Sequence, residues 1–298
     1  MHYLITGGTG LIGRAFIESL AESNSQITVL TRNKLNTKKI LGNSINCIDD
    51  LEIDDIESSD IILNLAGEPI ADKRWSDTQK DNICQSRWNI TQHLVELISQ
   101  AKNPPSVFIS GSAIGIYGRQ NKQPINESFE DFHHEFTHHV CSEWENIALS
   151  AATNKTRVAI LRTGIVLAKK SGALGKMIPP FKLGLGGKIG DGEQMMSWIH
   201  LEDMVAAISH IEKNETLQGA INLTAPNPVN NYQFTHALAS TLSRPCLLST
   251  PPWLLKTLLG EMSDLLLFGQ NVVPDKLTNS GFSFKYSKVE EALTNLIK

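Results

Sequence analysis

Along the first thirty residues the apolar positions change period in a readable order. An apolar run, Tyr3-Leu4-Ile5, leads into a glycine-rich turn; Leu11, Ile12, Ala15, Phe16 and Leu20 then recur at helical spacing, and Ile27-Thr28-Val29-Leu30 follows as a second apolar run. Strand, helix and strand in that order make the unit of a parallel sheet with a right-handed crossover. The alternation continues. Asp60 to Ala66 reads as a buried strand, Val107 to Ser110 as another announced by Asn103-Pro104-Pro105, and Val158 to Leu161 as a further one. Between them Ile83 to Gln100 carries Ile90, Leu94, Leu97 and Ile98 on one helical face, and a second helix is predicted from about His138 to Ala152. These elements predict an α/β protein built on a Rossmann-type doubly wound parallel sheet, its first domain covering residues 1–165.

Past Arg162 the pattern breaks, because eight of the chain's 21 glycines fall between Gly164 and Gly192. Glycine at that density predicts loops and tight turns rather than regular elements. Helices are predicted at about 202–213 and 232–242, a strand at 220–223, and a leucine-rich helical pair between Pro252 and Phe268. Residues 166–298 are therefore read as a smaller C-terminal α+β lobe covering the substrate end. Trp253 to Leu259 reads as a core helix of that lobe; the alternatives are a surface anchor or a contact between copies in a homodimer.

The turn after the first strand is Thr6-Gly7-Gly8-Thr9-Gly10-Leu11-Ile12-Gly13. Glycines 7, 10 and 13 suit a chain that must turn tightly, admit a pyrophosphate to bare backbone, and seat a helix close to a sheet. The helix that follows offers unpaired N–H groups and the positive end of its dipole. A glycine pattern is weak alone but specific when it follows a strand and opens a helix, so a dinucleotide site is predicted here. At the end of the second strand, Leu30-Thr31-Arg32-Asn33-Lys34 lacks the acid that would take the adenosine ribose hydroxyls of NAD(H). Thr31 and Arg32, with Lys34 as added positive charge, suit a 2′-phosphate instead, and NADP(H) is the expected cofactor.

Composition narrows the partners. The 298 residues include 27 Lys+Arg and 31 Asp+Glu, a net charge of -4 with no long run of either sign. That balance argues against a nucleic-acid partner. No stretch reaches the length of a membrane span, and the first residues lack the basic and apolar regions of a secretion signal, so a cytoplasmic protein acting on a small-molecule substrate is expected. The four cysteines, Cys47, Cys84, Cys141 and Cys246, form no CxxC pair, and no metal site is expected.

With these residues in view, the Thr6–Gly13 turn resembles that of the short-chain dehydrogenase/reductase superfamily in its extended, epimerase-like branch. The blocks Asn64-Leu65-Ala66-Gly67-Glu68-Pro69-Ile70, Lys73-Arg74-Trp75, Ser86-Arg87, Leu161 to Leu167, Pro180 to Gly187, Ser197 to His200 and Leu259 to Met262 resemble the YfcH-like epimerase family proteins, a group also labelled cell-division inhibitor SulA. The likeness spans essentially the whole chain, including a family-specific segment from about residue 245. It implies that Gly7, Gly10, Leu11, Ile12 and Gly13 hold the pyrophosphate and that Thr31 and Arg32 hold the 2′-phosphate end. It further implies that Leu65, Ala66 and Gly67 pass under the adenosine ribose toward the nicotinamide. Arg87 is then placed to reach a phosphate or ribose, with a surface salt bridge as the alternative.

The same likeness exposes a departure. The superfamily works through a Tyr whose pKa is lowered by a Lys four residues on, with a Ser or Thr orienting the substrate oxygen. Tyr3, Tyr117, Tyr232 and Tyr286 are followed at that distance by Gly7, Asn121, His236 and Glu290. Using Glu145 as a register mark, Thr137 falls at the Tyr position and Cys141 at the Lys position. Ser112, in Ser110-Gly111-Ser112-Ala113, resembles the orienting serine and could meet a substrate carbonyl or hydroxyl; Tyr117 and Cys141 are the candidate substitute acids. His134-Glu135-Phe136-Thr137-His138 fits H-E-x-x-H but lacks a third ligand and reads as accidental. The expected function is an NADP(H)-dependent oxidoreductase or nucleotide-sugar-epimerase-like enzyme. The alternative is an NADP(H)-binding regulatory or scaffold protein with little catalysis, for example in cell division.

Overall fold

The computed structural model describes residues 1–169 and 171–298. Its centre is a sheet of seven parallel strands: β1 (His2–Thr6), β2 (Gln26–Leu30), β3 (Asn46–Ile48), β4 (Ile61–Asn64), β5 (Val107–Ala113), β6 (Arg157–Thr163) and the strand Gly219–Leu223. The spatial order is Gly219–Leu223, β6, β5, β4, β1, β2, β3. Helices connect them: α1 (Leu11–Ser19), α2 (Lys34–Leu41), α3 (Ile53–Glu57), α4 (Asp77–Gln100), α5 (Phe136–Leu149), α6 (Gly172–Lys182) and α7 (Leu201–Lys213), with α8 (Asn231–Thr241) following the last strand.

Alternate residues of each strand serve two cores. Tyr3, Ile5, Leu63, Ile109 and Leu161 pack with Phe16 and Ile17 of α1 and Met204, Ile208 and Ile211 of α7. Leu4, Ile62, Phe108 and Ile160 face the opposite way, onto Leu94 and Ile98 of α4 and Ala148 of α5. With both faces covered, the strands are continuous apolar runs, which is why they were readable. β1 pairs with β2 on one side and β4 on the other, so the winding reverses there. The crevice at the carboxyl ends of β1 and β4 is the place such a sheet offers a ligand.

Three expectations about the second half are corrected. The strand at 220–223, assigned to the smaller lobe, is the seventh strand of the main sheet, with Ala220 to Leu223 paired in parallel to Ile160 to Thr163 of β6. α7 and this strand complete the main core, so the sheet domain does not end at residue 165. The glycine-dense stretch does contain a helix, α6, because Leu174 and Phe181 bury one face of it into a second core with Trp198, Phe234, Leu238 and Leu293. The helix Pro252–Leu259 is not a core helix: none of its residues is buried, and Trp253 is 67% exposed. Among the described residues no helix is long and apolar enough to cross a membrane.

Candidate functional site

The glycine turn opens onto the crevice between β1 and β4. Gly7 has φ +68°, and a Cβ there would lie 2.6 Å from the carbonyl group of Leu65, so only glycine lets the segment leaving β4 pass against the turn. A Cβ at Gly13 would lie 2.5 Å from the Gly7 oxygen, so glycine also sets how closely α1 approaches the sheet. The Gly10 N–H donates to the Gly7 carbonyl at 2.9 Å. Gly10 is also the N-cap of α1 and brings no side chain to accept from the first amides of the helix. Those N–H groups, beside the half-exposed Leu11 and Ile12, stand open at the crevice. Gly7, Gly10, Leu11, Ile12 and Gly13 are thus brought together as one cradle that an anion fits.

The rim lies at the end of β2. Thr31 shares a hydrogen bond with Thr37 (Oγ1 to Oγ1, 2.7 Å) and accepts from the Asn33 N–H, which fixes the loop. Arg32 is exposed and, among the described residues, makes no ion pair or side-chain hydrogen bond. Lys34 lies in the same loop, its ammonium 2.7 Å from Asp49, whose carboxyl it holds below the usual range across an exposed ion pair.

Under the segment leaving β4 lies a buried polar chain. The Thr6 hydroxyl donates to Asn64 Oδ1 at 2.6 Å and accepts from the Ala66 N–H at 3.1 Å. Asn64 Nδ2 and Trp144 Nε1 both donate to Thr91 Oγ1, at 2.8 and 2.9 Å. This fixes Leu65, Ala66 and Gly67 against the turn. Among the described residues Arg87 forms no salt bridge; its guanidinium lies over the Trp144 ring, 5.3 Å from the centroid, and donates to the carbonyls of Ile83 (2.8 Å) and Glu68 (3.0 Å). A Cβ at Gly67 would lie 2.9 Å from its Cζ, so Arg87 supports this segment from below.

At the ends of β5 and β6 a second polar group is closed on itself. Strand register sets Ser112 opposite Arg162. The Ser112 hydroxyl donates to Glu145 Oε1 of α5 at 2.6 Å, and Arg162 grips the same carboxylate with Nε (3.0 Å to Oε1) and Nη2 (2.8 Å to Oε2). Arg162 Nη1 donates to the Tyr117 hydroxyl at 3.0 Å, which donates in turn to Asn222 Oδ1 at 2.8 Å. All five residues are buried. Pairing with Glu145 outweighs burial and raises the Arg162 pKa, while burial pushes the Tyr117 phenol up. Because the single proton of Ser112 is committed to a carboxylate, what it has left for a ligand is its lone pairs.

The two candidate acids are placed differently from the expectation. Tyr117 is fully buried with its hydroxyl held between Arg162 and Asn222, which leaves it no free proton for the crevice. Cys141 is buried, and desolvation reinforced by Glu145 pushes its thiol up to about 12, so it is neither a thiolate nor a ready donor. Thr137 donates to Glu135. The H-E-x-x-H run holds no metal arrangement: Glu135 is bound by Arg119 at 2.9 Å, His138 Nδ1 donates to the Ile116 carbonyl, and the described residues contain no cluster of three metal-ligating side chains. Glu145, Arg162 and Asn222 were not singled out from the sequence. The available signal was a charged residue directly after the buried run Val158 to Leu161.

Comparison with known proteins agrees with this geometry. Residues 3–223 match the NAD dependent epimerase/dehydratase family, and residues 250–296 match a domain of unknown function, DUF1731. The chain is 39% identical over 301 residues to the epimerase family protein SDR39U1 homolog, chloroplastic, of Arabidopsis thaliana, covering 99% of this chain and 86% of that protein. It is 36% identical over 296 residues to the epimerase family protein SSP1921 of Staphylococcus saprophyticus, covering 99% of each. The crystal structure of human epimerase family protein SDR39U1 (isoform 2) with NADPH superposes with a TM-score of 0.89 at 28% identity, covering 99% of both chains.

Proposed function

Because this chain belongs to the NAD dependent epimerase/dehydratase family, we propose that it binds NADP(H) and acts as an oxidoreductase or epimerase-like enzyme on a small alcohol or carbonyl compound. The observation that carries the cofactor reading is the open cradle of Gly7, Gly10, Leu11, Ile12 and Gly13 with the unpaired Arg32 on its rim. The human relative crystallised with NADPH supports the same choice. In this reading the leading amides of α1 take the pyrophosphate and Arg32 and Thr31 take the 2′-phosphate. Leu65 to Gly67, backed by Arg87, shape the floor beneath the ribose. Bound NADP(H) supplies or accepts a hydride at its nicotinamide.

The chain's own part in the chemistry centres on Ser112. Held by Glu145, it accepts a hydrogen bond, so the substrate group it orients is a hydroxyl rather than a carbonyl oxygen. Tyr117 and Cys141, named as acids from the sequence, act through packing and through Arg162 in this reading, and solvent water carries the proton. Titration of the protein's effect on NADPH fluorescence tests the cofactor assignment. Arg32→Ala is expected to weaken NADPH by about 1.5–3 kcal/mol, the range for a charged hydrogen bond, and to leave NADH nearly unchanged. An equal loss for both cofactors refutes the role of Arg32.

A further inference from the structure

Two segments contact the glycine turn and the start of α1, and they touch each other through Lys176. The first leaves β4, passes Gly7 at Leu65 and runs through Gly67, under which Arg87 is packed, to Ala71 and Asp72. The second is α6. A Cβ on its first residue, Gly172, would lie 3.3 Å from Cδ2 of Leu11, the first residue of α1. One turn later Lys176 reaches across: its Nζ donates to the Ala71 carbonyl at 3.0 Å and lies 2.5 Å from Asp72 Oδ1.

Together these contacts form a closed circuit: Gly7 to Leu65, along the chain to Asp72, across to Lys176, back down α6 to Gly172, and onto Leu11. The first residue of α1, Leu11, is thus part of the circuit. The two arms are unequally secured. The first is tied at both ends, by Arg87 and Ser86 on Glu68 and by Trp75 against Phe136 of α5, while Ser76 caps α4. α6 buries only Leu174 and Phe181. Its crossing contact is an exposed ion pair, with side chains 60% and 54% accessible. Such a pair is weak and screened by salt, which suits a contact that must open and close.

We propose that the Lys176–Asp72 contact is a latch over the cofactor cleft, so that a dinucleotide seated on the N-terminus of α1 leaves only when α6 releases the segment after β4. The latch rests on the NADP(H) reading above. Its test is the rate of NADPH release from the full-length protein, followed by stopped-flow fluorescence after displacement with excess NADP+. Lys176→Met and Asp72→Asn are each expected to release NADPH roughly two- to fivefold faster, the effect of losing an exposed ion pair. The double variant should release no faster than Lys176→Met, which already removes both crossing contacts, and the charge-swapped pair Lys176→Asp with Asp72→Lys should return toward the wild-type rate. Added salt should speed release more from the wild type than from Lys176→Met. Normal NADPH affinity with unaltered release in the single variants overturns the latch alone. A wild-type protein that takes up no NADPH overturns the cofactor reading and the latch with it.

Discussion

Two polar regions share the carboxyl ends of one sheet and treat their hydrogen-bonding groups in opposite ways. Around β1 and β2, among the described residues, the leading amides of α1 have no side-chain cap and the guanidinium of Arg32 has no hydrogen-bond or ion-pair partner. Around β5 and β6, Ser112, Glu145, Arg162, Tyr117 and Asn222 answer one another completely. Open donors weaken a fold unless a ligand completes them, so the first region reads as a binding surface. A buried and fully paired charge network instead fixes geometry, so the second region reads as an orienting frame. At the two positions where the sequence register expects the proton-transferring pair stand Thr137 and a neutral, buried Cys141, and the carboxylate acting on that thiol, Glu145, is already paired with Arg162.

The contrast can be broken most forcefully at the closed region. Glu145→Ala leaves the buried Arg162 guanidinium without its counter-charge and should destabilise the protein by about 3–5 kcal/mol in chemical denaturation. A loss below about 1 kcal/mol would mean the network is not the closed frame described. At the open region, Gly7→Ala forces a Cβ against the Leu65 carbonyl at a positive φ, with a strain of about 1–3 kcal/mol. NADPH binding should fall sharply while the protein stays folded in thermal melts; unchanged binding would remove Gly7 from the cradle. The smallest effect concerns Cys141. With its thiol pushed up to about 12, it should resist iodoacetamide at pH 8 in the native protein and react only on unfolding or as the pH approaches that value, whereas the partly exposed Cys246 should be modified. Mass mapping of the alkylated cysteines decides it, and rapid native labelling of Cys141 would return it to the list of reactive groups.

What could be read in advance follows the same division. The cradle was legible because its constraints are local: seven residues, Gly7 to Gly13, carry the steric reasons for glycine within the motif itself. The frame was not, because Ser112 meets Glu145 only after α5 folds back, and Arg162 only through the register of β5 with β6. The strand Gly219–Leu223 was visible as a strand, but its place beside β6 depends on how α7 crosses the sheet. α6 was hidden by its glycines, since its helical face is specified by only two buried side chains. In the helix Pro252–Leu259, apolar spacing predicted burial that the packing does not supply.

The return of the chain to the main sheet at Gly219–Leu223 has a consequence for synthesis. As the protein leaves the ribosome, β6 is complete at Thr163, yet the strand that covers its outer edge arrives more than fifty residues later. Throughout that interval the nascent chain carries an unprotected, apolar strand edge, the form of surface that templates aggregation. A fragment cut after residue 165 preserves that state permanently, so the dinucleotide half of this protein is poorly suited to life as a detached module.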